Sequence, residues 1–297
     1  MGFDTAYEAI SEEEEEDPGH RWAYGTGFTD PLAGVDTSVP DGVDGADLAT
    51  YCLMLGDDAL IMSHRLQQWL ARAPELEEET ALANIALDLL GQARLLLSRA
   101  GAADGTGRGE DDYAFGRPER EFRNVRLAEI ADADFAGLVA RLLVFSTWRL
   151  ALLARLRDLR DPVLAAVAAK GVSEITYHRD YAAQWAIRLA GGTEYSRGRM
   201  QAALAAVAPL CAELFTATGA ERRLAAAGVA ADPAAVRPEF DAVIGQVMSA
   251  AGMTWPDRPG LAGVAGQAGR DGVHTEAMGY LLAELQSVAR AHPGATW

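Results

Sequence analysis

Leu82-Ala83-Asn84-Ile85-Ala86-Leu87-Asp88-Leu89-Leu90-Gly91-Gln92-Ala93 and Gly171-Val172-Ser173-Glu174-Ile175-Thr176-Tyr177-His178 are the two stretches whose reading decides the fold. Each lies in a long helical pattern with one apolar seam. In the first helix the seam reads Leu82, Ile85, Leu89, Gln92, Ala93 and Leu96. In the second it reads Leu164, Ala168, Gly171, Ile175, His178, Ala182, Trp185 and Leu189. Spacings of three and four residues put these side chains on one inward face, so Gln92 and His178 are polar interruptions of apolar seams.

Working outward, the pattern predicts helices over 47–72, 74–100, 132–158 and 162–190. A fifth is predicted over 194–218, with weaker helices over 238–252 and 275–292. Asp47 is the expected N-cap of the first helix and Pro74 a first-turn residue of the second. Gly191-Gly192 is read as a left-handed C-cap, Thr275 as an N-cap, and the Gly- and Asp-rich connection 101–123 as too polar for the core. Tight turns at Ala73-Pro74 and Asp161-Pro162 make two hairpins. The expectation is an all-α, ferritin-like four-helix bundle with additional C-terminal helices.

The net charge of −17 over 297 residues is concentrated at one end. Residues 1–47 carry 13 acidic side chains and one basic one, Arg21, leaving 30 acidic and 25 basic groups over the rest. Residues 1–46 are therefore expected to be an acidic, disordered tail ahead of a helical domain over 47–297. With no basic stripe to neutralise phosphates, nucleic-acid binding is not expected. Cys52 and Cys211 lack metal or redox spacing and read as buried thiols in a reducing compartment. No signal peptide and no apolar run long enough to span a membrane are recognised, so a cytoplasmic protein is expected.

The seams carry the functional question. A carboxylate-bridged di-iron centre in a helical bundle needs a Glu-x-x-His pair on each of two helices and a carboxylate from each of the other two. Here the inward pairs read Leu89 with Gln92 and Ile175 with His178, and the matching levels of the other helices read Leu60 and Thr147. Asp88 and Glu174 stand one residue out of register, about 100° off the inward direction. Asp57 and His64 flank the seam of the first helix. The residue pattern admits a metal-free hydrogen-bonded network including Asp57, His64, Asp88 and Glu174, or a degenerate metal site, or an independent di-iron oxidase or oxygenase using displaced ligands such as Asp57, Asp88, Glu174 and His178. A metal-free helical scaffold unrelated to oxygenases also stays open.

Several runs carry a family resemblance: Leu55-Gly56-Asp57-Asp58-Ala59-Leu60-Ile61-Met62-Ser63-His64-Arg65-Leu66, Pro74-Glu75-Leu76-Glu77-Glu78-Glu79 with Leu82–Arg94, Glu119-Arg120-Glu121-Phe122, Val273-His274-Thr275-Glu276 and Leu282-Ala283-Glu284-Leu285-Gln286. Together they resemble the structural, PaaC-like subunits of bacterial phenylacetyl-CoA 1,2-epoxidase, in order over about residues 47–297. The resemblance implies a non-catalytic subunit of a monooxygenase complex in aerobic phenylacetate degradation. It implies no catalytic, cofactor-binding or metal residue in this chain, and a di-iron centre in a partner catalytic subunit. The implied partners are that subunit, a small bridging subunit and a flavin/iron–sulfur reductase. Thr147 departs from family members that keep an Asp there.

Overall fold

A computed structural model of the protein describes residues 32–293 together with 295, and Val35–Trp297 form one compact unit. Most of the acidic segment expected as a tail, residues 1–31, lies outside the described residues. The helices run α1 (Gly45–Gln67), α2 (Leu76–Ala103), α3 (Glu110–Phe115), α4 (Arg126–Glu129), α5 (Phe135–Leu156), α6 (Pro162–Gly191), α7 (Glu194–Val207), α8 (Gly219–Ala226), α9 (Arg237–Ala251), α10 (Glu276–Leu285) and α11 (Ser287–Ala291). Among the described residues the only extended pairing is a single bridge between Val264 and Gln267.

The ends of α1 and α2 differ from expectation for local reasons. Asp44, not Asp47, caps α1, accepting from the Ala46 and Asp47 N–H groups at 2.8 and 3.1 Å. Asp47 is left to pair with Arg223 at 2.6 Å. The segment before the helix is held as well, since the Arg99 guanidinium donates to the Thr37 and Ser38 carbonyls while pairing with Asp161 at 2.5 Å. α1 stops at Gln67 and Pro74 lies in the turn before α2. Asp161 caps α6 through the Leu164 N–H at 2.8 Å, and Pro162 occupies the first helical position, where a missing N–H costs nothing. Gly192 ends α6 at φ −79°, so the expected left-handed cap is absent. Thr275 stands at the N-cap position of α10 without a capping hydrogen bond. α7 gives way at Ala208-Pro209 to a 3₁₀ segment reaching Phe215, because proline cannot supply the helical N–H.

Directions of the four long helices follow from their contacts. Ser63 Oγ donates to the Ala86 carbonyl and Gly56 lies against Leu96 and Leu97, so α1 and α2 are antiparallel. Arg141 reaches Met62 and Arg149 reaches Leu55, so α5 is antiparallel to α1. Asp88 meets His178 and Gln92 meets Glu174, so α2 and α6 are antiparallel. α2 and α5 therefore run the same way, and the connection 104–134 must travel the length of the helices. That connection is not the solvated loop expected for 101–123: Tyr113, Arg117 and Phe122 are buried in it. It is drawn in by charge, as Arg117 forms a buried ion pair with Asp57 of α1.

The predicted seams lie inside. Leu82, Ile85, Leu89, Gln92, Ala93 and Leu96 are all buried, as are Leu164, Ala168, Gly171, Ile175, His178 and Ala182. Beyond Ala182 the buried stripe moves to Ala186 and Ala190, because a 3.6-residue turn drifts from a strict heptad. Trp185 is left half-buried, stacked edge-on against Phe135 at 4.9 Å. Cys52 and Cys211 are buried free thiols, and burial pushes both well above their ordinary pKa. Contrary to expectation, α2 and α5 are each long and apolar enough to cross a membrane by length and composition. In α5 this reflects its central place, with 94% of the apolar stretch buried.

The C-terminal segment is fastened by a buried pair. His274 Nδ1 donates to Glu129 Oε2 at 2.7 Å and Nε2 to the Phe122 carbonyl at 3.2 Å. Two acceptors on one ring favour imidazolium. Burial opposes the charge, but the Glu129 hydrogen bond and its negative charge outweigh it and raise the His274 pKa above 6.5. A raised folded-state pKa gives a contribution that is full below the unfolded value and is lost as pH rises through the folded one. The expected result is a melting temperature that falls as pH rises above about 6.5, with that portion of the slope missing in His274→Gln. Parallel melting curves for the two proteins across that range would contradict it.

Candidate functional site

Function turns on the level of the core where Leu89, Gln92, Ile175 and His178 face inward. Leu89 and Ile175 are fully buried, and Leu60 is 5% exposed. Gln92 is gripped from two sides: its Oε1 accepts from Arg149 Nε at 3.0 Å and its Nε2 donates to Glu174 Oε2 at 2.8 Å. Gly171 makes room for this arrangement. A Cβ there would stand 2.8 Å from Leu153 Cδ1 and 3.3 Å from Gln92 Cδ.

Arg149 is the residue that sequence reasoning missed. It lies in the middle of α5, fully buried, and also donates to the Leu55 carbonyl at 3.2 Å. Its Nη2 has no hydrogen-bond partner among the described residues. Burial pushes the guanidinium down to about 10, with the nearby Asp58 carboxylate pulling the other way, so it stays charged at neutral pH. The signal was present in the sequence: Leu138–Leu153 is apolar except for Arg141, Ser146, Thr147 and Arg149, and a charge inside such a helix must find buried partners.

The other expected residues separate into distinct groups instead of one central network. His178 Nε2 donates to Asp88 Oδ2 at 3.0 Å, while Nδ1 is buried without a partner among the described residues. The Asp88 side chain is 36% exposed, consistent with its register one step off the inward face. Glu174 extends the Gln92 group outward to Lys170 at 3.3 Å. Asp57 turns away to Arg117 and accepts the Arg123 N–H at 2.8 Å. His64 keeps a buried, unpartnered Nε2 and has its pKa lowered by burial. Thr147 is buried with its Oγ1 unpartnered. The physical reason is that buried Asp57 is claimed by Arg117, which arrives from the crossover, while Asp88 and Glu174 find their own partners on the α2–α6 side. Asp58, which the sequence did not single out, is held by Arg270 at 2.8 and 3.0 Å and by the Val125 N–H at 2.8 Å.

The donor set does not fit a di-iron centre. Leu60, Leu89 and Ile175 offer no lone pairs, and the Gln92 amide is already engaged by Arg149 and Glu174. A divalent ion within ~5 Å of a guanidinium would be repelled by about 7 kcal/mol at an effective dielectric constant near 20. Among the described residues no three His, Cys, Asp or Glu side chains gather as a metal-binding group.

The family described as Phenylacetic acid catabolic protein, which spans the PaaA and PaaC types, matches residues 36–297. The chain is 41% identical over 250 residues to the C-type subunit of the 1,2-phenylacetyl-CoA epoxidase of Escherichia coli (strain K12), an alignment covering 84% of this chain and 99% of that protein. This chain belongs to the phenylacetic acid catabolic protein family.

Proposed function

We propose that this chain is the non-catalytic structural subunit of a phenylacetyl-CoA 1,2-epoxidase complex in aerobic phenylacetate degradation. In this reading the four long helices form a ferritin-like bundle, with α1 and α2 joined to α5 and α6 by one long crossover. The observation that carries the reading is the Arg149–Gln92–Glu174 chain at the level where a catalytic relative would hold metal ligands. The likeness to the Escherichia coli epoxidase subunit supports it further. A cytoplasmic setting, the small bridging subunit and the flavin/iron–sulfur reductase belong to the same proposal.

The division of labour has a physical basis. A catalytic bundle must bury carboxylates and histidines around iron and still admit a bulky thioester and oxygen, which weakens its own packing. A neighbour of similar shape with Leu and Ile at those positions carries no such burden. Ring epoxidation then takes place at the partner's di-iron centre, and this chain binds and steadies that subunit.

Coexpression with the catalytic-subunit homologue tests the proposal. The expected result is co-purification of the two chains and epoxidation of phenylacetyl-CoA that needs both. Full activity of the catalytic subunit without this chain, or no association between them, would refute it.

A further inference from the structure

An aspartate cyclises most readily onto the following amide when that residue is glycine, because no Cβ stands in the path of the closing ring. The chain holds four such pairs, Asp41-Gly42, Asp44-Gly45, Asp104-Gly105 and Asp271-Gly272. The fold treats them unequally. Asp44 Oδ1 is committed to the Ala46 and Asp47 N–H groups, and Gly45 is so tightly packed that a Cβ would stand 2.4 Å from the Ala103 carbonyl oxygen. Asp104 accepts from the Thr106 N–H at 2.9 Å and from the Tyr113 hydroxyl at 3.0 Å. Asp271 accepts from the Ala268 N–H at 3.0 Å, and the Gly272 N–H is itself donated to the Gly269 carbonyl at 2.9 Å. Asp41 and Gly42 differ on each count. Both are exposed, and among the described residues neither the Asp41 carboxylate nor the Gly42 N–H has a hydrogen-bond partner. Gly42 sits at φ +74° with open space around it, in a turn closed by the Val43 N–H donating to the Pro40 carbonyl at 3.1 Å. Arg160 holds only the Asp41 main-chain carbonyl, at 3.0 Å.

We propose that the Asp41-Gly42 turn is a modification site, at which the folded chain spontaneously converts aspartate into a β-aspartyl linkage. The Gly42 nitrogen attacks Asp41 Cγ, and a carboxyl oxygen leaves as water, taking the amide proton, so that a succinimide ring closes. Water then adds at the Asp41 main-chain carbonyl carbon and breaks its bond to the Gly42 nitrogen. The main chain now runs through Cβ and Cγ, and the former carbonyl carbon becomes a free carboxylate. Water lost in the first step is regained in the second, so the atoms balance without any further reactant. The attack requires the two residues to rotate toward each other. At Asp41 only an exposed turn resists that motion, whereas the other three aspartates must first give up a carboxylate hydrogen bond. The added methylene displaces the carbonyl that Arg160 holds, beside the segment whose Thr37 and Ser38 carbonyls are held by Arg99. The lesion therefore loosens the approach to α1 and leaves the four long helices intact.

The test ages the full chain at neutral pH, folded and in guanidinium chloride side by side. Methyl transfer from S-adenosylmethionine by an isoaspartate-specific methyltransferase reads the total β-aspartate. Loss of Asp-N cleavage ahead of the affected residue places it. In the folded chain at least about tenfold more β-aspartate is expected at Asp41 than at Asp44, Asp104 or Asp271. In guanidinium chloride, where the fold no longer distinguishes them, the four are expected to react within about threefold of one another. Asp41→Glu should remove most of the methyl acceptance of the folded chain, since glutamate must close a larger and slower-forming ring. Earlier or equal modification of another of the four pairs in the folded chain overturns the assignment. So does a folded chain that stays unmodified at Asp41 while the unfolded one reacts there, or an Asp41→Glu variant that accepts as much methyl as the unaltered chain.

Discussion

Asp58→Ala is expected to lower the free energy of unfolding by about 3–5 kcal/mol, the range for breaking a buried ion pair from one side. Asp58 is fully buried and accepts both Arg270 contacts and the Val125 N–H, while its charge also bears on Arg149. Its removal leaves two buried guanidinium groups without their shared counter-charge. Arg270 comes from the short 3₁₀ turn Gly269–Asp271 and also donates to the Met54 and Arg123 carbonyls at 3.0 and 2.7 Å. The same substitution therefore loosens the C-terminal segment and the end of the crossover from α1. Urea unfolding of Asp58→Ala, with Asp58→Leu/Arg270→Met alongside, measures the effect. The double variant should recover only part of the loss, since the apolar pair needs no counter-charge while Arg149 and the Val125 N–H stay uncompensated. A loss below about 1 kcal/mol in the single variant would mean that Asp58 does not organise this region.

Restoring the metal-ligand pattern is expected to damage the protein and not to create a metal site. Leu89→Glu/Gln92→His/Ile175→Glu places two carboxylates where Leu89 and Ile175 are now fully buried. Arg149 can neutralise at most one of them, so the other is buried without compensation. Loss of Gln92 also removes the acceptor for Arg149 Nε and the donor for Glu174. The expected cost is about 3–5 kcal/mol. Leu60 and Thr147 still withhold ligands from the other two helices. Anaerobic titration with ferrous iron should show no tight binding, and urea unfolding should show the lost stability. Tight iron binding with oxygen activation by this variant would refute this view of the core.

The all-helical class and the two long seams were legible because periodicity records which face is buried. Leu82 through Leu96 and Leu164 through Ala182 lie inside as the spacing implied. The off-axis direction of Asp88 was legible for the same reason, from a one-residue shift in register. Helix ends were less so. Asp44 and Asp47 are both good caps by residue type, and the distant Arg223 takes Asp47. The central polar group escaped because its organising residue, Arg149, has partners 57 and 94 positions away. Local patterns carry no information on such pairings. The crossover was misjudged for the related reason that an arginine-rich loop looks solvated until its charges find buried carboxylates. Arg117 with Asp57 and Arg126 with Glu213 are two such cases.

At the centre stands the proposal that this chain supplies structure to a complex whose metal chemistry lies elsewhere. Iron quantitation on the purified complex of this chain with its catalytic-subunit homologue tests it most directly. One di-iron centre is expected for each pair of subunits, all of it remaining with the catalytic partner when the two are separated. A di-iron centre that stays with this chain after separation would contradict it.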